Sequence, residues 1–173
     1  MMSIGIDPGK GGAIVVALKV GDEIQRLSYV IPLLGKQVDR QALNNILREY
    51  KGNECHVWIE DVHAIFNSSA KSTFSFGHVC GLLEMAVVAN GYSYTLVQPK
   101  VWQKEMWQGI PEQRKPSTKE GKKGPIDTKL MSLMACKRLF PNEDLTKSAK
   151  SKKDHDGIVD AMLLAEYGLR KKL

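Results

Sequence analysis

Four carboxylates in this chain stand where chemistry would need them. Asp7 follows Ile4-Gly5-Ile6 and precedes Pro8-Gly9. The alternating apolar pair makes a short strand, and Pro8, which has no ladder donor, stops it, so Asp7 sits at a strand end. Glu60, followed by Asp61, stands at the C-terminal end of another strand, Cys55 to Ile59. Asp156 and Asp160 lie one helical turn apart within Asp154-His155-Asp156-Gly157-Ile158-Val159-Asp160-Ala161, so both project from one helix face. Capping accounts for Asp154, which opens the helix, but not for Asp160, inside the apolar run from Ile158 to Leu164. Like charges so placed repel, and a bound cation reverses that penalty. Oxygen-only ligation suits Mg²⁺ or Mn²⁺, and two such ions about 4 Å apart serve in-line attack of water on a phosphodiester. Taken alone, each acid has a plainer reading, Asp7 as the opener of a Pro-Gly turn above all. Together they point to phosphoryl chemistry.

The elements that must position these acids follow from hydrophobic periodicity. Ala13 to Leu18 reads as a second strand, Val20 to Glu23 as a hairpin turn and Ile24 to Ile31 as a third strand, an antiparallel meander. Asp39 caps a helix through Tyr50 with Leu43, Ile46, Leu47 and Tyr50 on one face, a crossover long enough to lay the Cys55 strand parallel to the first. Residues 64–72 are polar and irregular. A helix then runs from about Lys71 to Asn90 with an apolar stripe of Val79, Leu82, Leu83, Ala86 and Val87. Gly77 and Gly81 thin it on one side, for close packing either on the chain's own sheet or on a partner helix.

Tyr92 to Val97 is a fifth strand, and Pro99 starts a short helix in which Lys100, Trp102, Lys104 and Trp107 either stack on bases and touch phosphates or serve the core. Residues 109–126 make a mobile basic loop without periodicity. A helix from Asp127 to Leu139 with Leu130, Leu133, Met134 and Leu139 apolar follows, then a basic connector over 146–153 and a last helix from Asp154 to about Leu169. The expected architecture is α/β, a mixed five-stranded sheet flanked by helices, in one domain spanning 1–173.

Charge separates along the chain. Residues 1–99 carry 8 Lys and Arg against 9 Asp and Glu, whereas residues 100–173 carry 17 against 10, so the whole net charge of +6 comes from the C-terminal part. That asymmetry suits a polyanion, most simply nucleic acid, with solubilising surface lysine as the other reading. Cys55, Cys80 and Cys136 are odd in number and lack metal spacing; they read as reduced thiols of a cytoplasmic protein. No stretch reads as a membrane span or a signal peptide.

Four motifs carry a family likeness: Ile-Gly-Ile-Asp-Pro-Gly at 4–9, Trp-Ile-Glu-Asp-Val-His-Ala at 58–64, Phe-Ser-Phe-Gly at 74–77 and Lys-Lys-Asp-His-Asp-Gly-Ile-Val-Asp-Ala at 152–161. The chain resembles the RuvC-like Holliday-junction resolvases, particularly phage-encoded members, over nearly its whole length. The resemblance implies an RNase H-like fold, a homodimer, and Mg²⁺-dependent (or Mn²⁺-dependent) cleavage of four-way and related branched DNA with two ions per site. It places the family's acids on Asp7, Glu60, Asp156 and Asp160, and family lysines on Lys104 and Lys129. Lys10 on the first turn and Lys147, Lys150, Lys152 and Lys153 on the connector are the further expected DNA contacts. The dimer interface falls on Phe74, Gly77, Gly81 and Met85. Bacterial members space the two helix acids three apart rather than four, which leaves Asp154 as a rival to Asp156. They also carry a wedge phenylalanine where this chain has His63, which leaves Phe66, Phe74 or no residue at all to serve as the wedge. Other readings remain: a nuclease of the same fold acting on flaps, branches or RNA·DNA hybrids, and a DNA-binding protein without catalysis. A sugar-kinase or actin-like ATPase needs two such domains.

Overall fold

The structure, a computed structural model, describes residues 1–52, 54–63, 69–118 and 120–171. Phe66 lies outside them. β1 (Met2–Asp7) pairs antiparallel with β2 (Ala13–Val20), and β2 with β3 (Glu23–Val30), through the short turns that Pro8-Gly9 and Gly21 impose. β6 (Cys55–Glu60) joins the other side of β1 in parallel, with Ile6 opposite Ile59, and β7 (Ser93–Val97) lies parallel beyond it. The sheet order is β3-β2-β1-β6-β7, the expected meander followed by parallel strands. A small hairpin not foreseen from periodicity, β4 (Leu33–Leu34) with β5 (Gln37–Val38), turns at Gly35 with φ +62°. Two-residue strands are too short to leave a periodic signal.

Helices cover both faces. α1 (Arg40–Glu49) is capped by Asp39, whose Oδ1 accepts from Ala42 N at 3.0 Å, and α2 (Ala70–Ala89) by Ser69. Their apolar residues Leu43, Leu47, Val79, Leu83 and Val87 pack on Met2, Ile4 and Ile6 of β1. α3 (Pro99–Met106), α4 (Thr128–Leu139) and α5 (Asp156–Arg170) cover the opposite face. α2 departs from the expectation that no stretch approaches a membrane span: among the described residues it alone is long and apolar enough to cross one. It is apolar on two faces because only the Val79, Leu83 and Val87 stripe meets the sheet, while Phe74, Met85 and Val88 are exposed.

α4 also differs. Its buried face is Met131, Ser132, Ala135 and Cys136, whereas Leu130 is 40 % exposed; the small polar Ser132 falls where periodicity counts only large apolar residues. Within 109–126 the arms are tied together: Arg114 bridges Ile126, Lys115 N donates to Pro125 O at 2.9 Å and Asp127 N to Gln113 O at 2.8 Å. The three cysteines are free thiols, and burial pushes Cys55 and Cys136 up to about 12.

The central contact is α5 lying along β1. Side chains of Met2, Ile4 and Ile6 point to α1 and α2, which leaves Ser3, Gly5 and Asp7 facing α5. A Cβ at Gly5 would overlap the Ala161 carbonyl oxygen, and one at Gly157 would come within 2.9 Å of Asp7 Oδ2 and 2.8 Å of Gly11 O. Two glycines therefore let backbone meet backbone, and the start of α5 is pressed against the end of β1. Substitution of either by alanine forces the helix off the strand. Gly157→Ala is expected to lower the melting temperature and, because it pushes Asp7 and α5 apart, to impair the site more than an equally destabilising change in α1; thermal melts paired with metal titration check this.

Candidate active site

The parallel register of β1 and β6 brings Asp7 and Glu60 to the same sheet edge, and the α5 contact adds Asp160 above them. Burial and then the charges of Asp160, Glu60 and Asp156 push Asp7 up to about 8, with Lys129 opposing. Glu60 is raised to about 7 by burial and Asp160, against the hydrogen bond from Trp102 Nε1 to its Oε1 at 3.1 Å. Burial, then Asp156, raise Asp160 to about 6, while Ser132 hydrogen-bonds it and opposes the shift. Its Oδ1 is fully buried and has no hydrogen-bond partner. Burial beside other carboxylates therefore favours the protonated form of all three acids.

Asp156, half-exposed on the first turn of α5, pairs with Lys129 Nζ at 2.5 Å. Among the described residues no three acidic, histidine or cysteine side chains are gathered closely enough to hold an ion as they stand. The four expected acids are nevertheless electrostatically in contact around Asp7. Asp154, the rival to Asp156, is not the expected cap. Its carboxylate pairs with Lys137 Nζ at 2.6 Å, as that of Asp156 does with Lys129, and its backbone bridges Thr146. The cap is His155, whose Nδ1 accepts from Ile158 N at 3.3 Å, so α5 starts two residues later than periodicity suggested. Asp61, next to Glu60, points to His63 at 3.8 Å.

The basic residues divide. Lys147, Lys152 and Lys153 line a cleft of about 370 Å³ with Gly11, Ser151, Asp154, His155 and Asp156. The connector that carries them is closed on itself, with Ser151 N donating to Ser148 O at 2.8 Å and His155 N to Leu145 O at 2.8 Å. Lys150 is exposed on the same segment. Lys10 lies on the other side of the Asp7 turn, where with Lys71 and Phe76 it lines a trough along α2. Lys104 is exposed on α3 and is not among the cations that act on the acids. Trp102 is fully buried, which decides for the core reading of that helix.

No protein-family model matches the sequence, and no curated protein matches it. Among solved structures, Thermus thermophilus RuvC superposes with a TM-score of 0.58 over 99 % of this chain and 96 % of that one, at 14 % identity. This chain has a RuvC-like fold. The structure of T. thermophilus RuvC in complex with Holliday junction substrate matches over the same spans with the same score and identity. The mixed five-stranded sheet flanked by helices is the RNase H-like arrangement expected from the motifs. Ser132 is the contact that sequence reasoning missed; it offered Trp102 only for base stacking or the core, and Gly157 only within a family motif. A buried tryptophan, a helical serine and a glycine after an acid carry no signal of their own until the fold sets them against Glu60, Asp160 and Asp7.

Proposed function

We propose that this chain is a divalent-metal-dependent endonuclease that cuts branched DNA, four-way junctions foremost, as a homodimer. The observation that carries the reading is the acid cluster at the strand ends, with a buried unpaired Asp160 oxygen, next to a lysine-lined cleft. Asp7, Glu60, Asp156 and Asp160 offer only carboxylate oxygens, which fit Mg²⁺ or Mn²⁺, two ions per site in our reading. Such ions, when bound, supply an activated water and neutralise charge on the leaving oxygen. The protein's own part is placement. Asp7 and Glu60 sit on rigid strand ends, Asp160 is set by the α5 contact, and Lys129 holds Asp156 in place. Lys147, Lys152 and Lys153 take backbone phosphates on one side of the acids.

The test is a matched panel of four-way, flap, linear and RNA·DNA substrates in Mg²⁺. Paired, symmetric cuts in the four-way substrate are expected; hybrid cleavage alone points to the ribonuclease reading, and no cleavage of any substrate returns the chain to simple DNA binding. Neutralising Lys147, Lys150, Lys152 and Lys153 together is expected to flatten the salt dependence of junction binding, by ~0.9 in the log-log slope for each phosphate no longer neutralised. An unchanged slope in a salt titration assigns these lysines to the solvated surface.

Homodimerisation is supported by the outer face of α2. Phe74 is 79 % exposed and Met85 59 %, and a Cβ at Gly77 or Gly81 would meet nothing within 4 Å, so these glycines do not serve close packing on the chain's own sheet. A helix apolar on both faces needs a second cover. Two copies related by a two-fold axis match the symmetry of a four-way junction, so that opposed strands are cut in one encounter. Gly81→Leu is expected to overpack that contact by ~1–3 kcal/mol. Sedimentation equilibrium should show the native chain dimeric and this variant shifted toward monomer; a monomeric native chain that still makes coordinated paired cuts removes the dimer from the reading.

A further inference from the structure

The acids at the sheet edge act on one another electrostatically, and core residues contact two of them from behind that edge. Glu60 pairs with Val97 at the end of β7, and Asp61 N donates to Val97 O at 2.8 Å. Pro99 then opens α3, so that Trp102, one turn in, comes back beneath the strand glutamate. Its indole Nε1–H donates to Glu60 Oε1 at 3.1 Å from a fully buried ring. An indole can donate and cannot accept, so this contact holds a carboxylate oxygen without competing for its charge. On the neighbouring helix Ser132, 2 % exposed, hydrogen-bonds Asp160, whose Oδ1 remains without a partner.

The arrangement differs from that of Asp156, which is held by a cation. Lys129 brings a charge to Asp156, whereas Trp102 is a neutral donor that occupies one oxygen of Glu60 and leaves the other, and Ser132 is a neutral partner of Asp160. Trp102 comes from α3 and Ser132 from α4, two elements that pack on the α5 face of the sheet.

We propose that Trp102 and Ser132 are positioning residues for divalent-cation binding, tying one oxygen of Glu60 and one of Asp160 from the core so that each acid keeps a free oxygen for the ion. The inference rests on the metal-dependent reading above. The competing account is that Trp102 fills the core and its N–H takes whatever acceptor lies nearest.

Calorimetric titration with Mn²⁺ alone, without DNA, separates the two. Trp102→Phe keeps an aromatic ring and removes the donor; Ser132→Ala removes one hydroxyl. Both are expected to bind Mn²⁺ about ten-fold more weakly or worse, the usual effect of losing an outer partner of a ligating group. Trp107→Phe, which removes an indole whose Nε1 has no partner, is expected to keep the native affinity. In a Glu60→Gln background Trp102→Phe should cause no further loss, since its effect passes through Glu60. Thermal melts identify any variant that fails to fold. If Trp102→Phe is one, Ser132→Ala decides, because native affinity in that folded variant overturns the proposal. Native Mn²⁺ binding with unchanged affinity in a folded Trp102→Phe protein overturns it equally, while leaving the metal site intact. A native chain that binds no Mn²⁺ overturns the metal reading first and the positioning roles with it.

Discussion

Glu60→Gln is expected to fold, dimerise and bind a four-way junction like the native chain while losing at least about 10³-fold in cleavage rate, equivalent to about 4 kcal/mol of transition-state stabilisation. The substitution keeps the shape of the side chain and the acceptor that Trp102 Nε1 needs, and removes the charge a cation requires. Asp61→Asn is the matched control. Asp61 faces His63 rather than the cluster, so its loss is expected to change the rate by less than about three-fold. Single-turnover cleavage with a gel-shift measurement of binding reads both variants. A dead Asp61→Asn beside an active Glu60→Gln would move the ligand set one residue along β6 and break the proposed geometry.

The second large effect is on stability. Asp7 is raised from 3.8 to about 8, Glu60 from 4.5 to about 7 and Asp160 from 3.8 to about 6, each chiefly by burial. All three shifts are upward for acids, so the folded chain binds protons that the unfolded chain has already lost. The stabilisation is complete below about pH 4 for these groups and is lost as pH rises through 6, 7 and 8. Without metal, the unfolding free energy is therefore expected to fall across that window, by up to about 1.4 kcal/mol per pH unit for each proton of difference, and the melting temperature with it. Mg²⁺ should restore it most at pH 8 and least at pH 5, because binding displaces the same protons. Asp7→Asn is expected to be more stable than the native chain at pH 8 without metal and to lose the Mg²⁺ response. A melting temperature that rises steadily from pH 5 to 8 without metal, with no gain from Asp7→Asn, contradicts this account of the cluster.

The strand acids, the helix pair and the order of elements were legible because each depends on local physics. Pro8 and Gly9 must end β1 at Asp7, the apolar run of β6 gives way to acids at Glu60, and a four-residue spacing must put Asp156 and Asp160 on one face. The cap at Asp39 was legible for the same reason, since it accepts from an amide three residues on. At the start of α5 the local rule chose wrongly. Asp154 is a better cap in isolation than His155, but Lys137 on α4 offers it an ion pair at 2.6 Å that no local rule contains.

What no reading of periodicity contained is the set of contacts between residues far apart in the chain. Gly5 and Gly157 act together only because α5 returns along β1 after some 150 residues, and Asp160 meets Asp7 only through that contact. Trp102 and Ser132 become partners of Glu60 and Asp160 only when α3 and α4 are packed beneath them. Gly77 and Gly81 admitted two readings until the fold left them open to solvent. Residue types along the chain set which groups can end a strand or share a helix face, because those outcomes turn on a few neighbouring dihedrals. Tertiary packing set which acids are buried together, and so which are held near neutrality, because desolvation and charge coupling depend on distance in space.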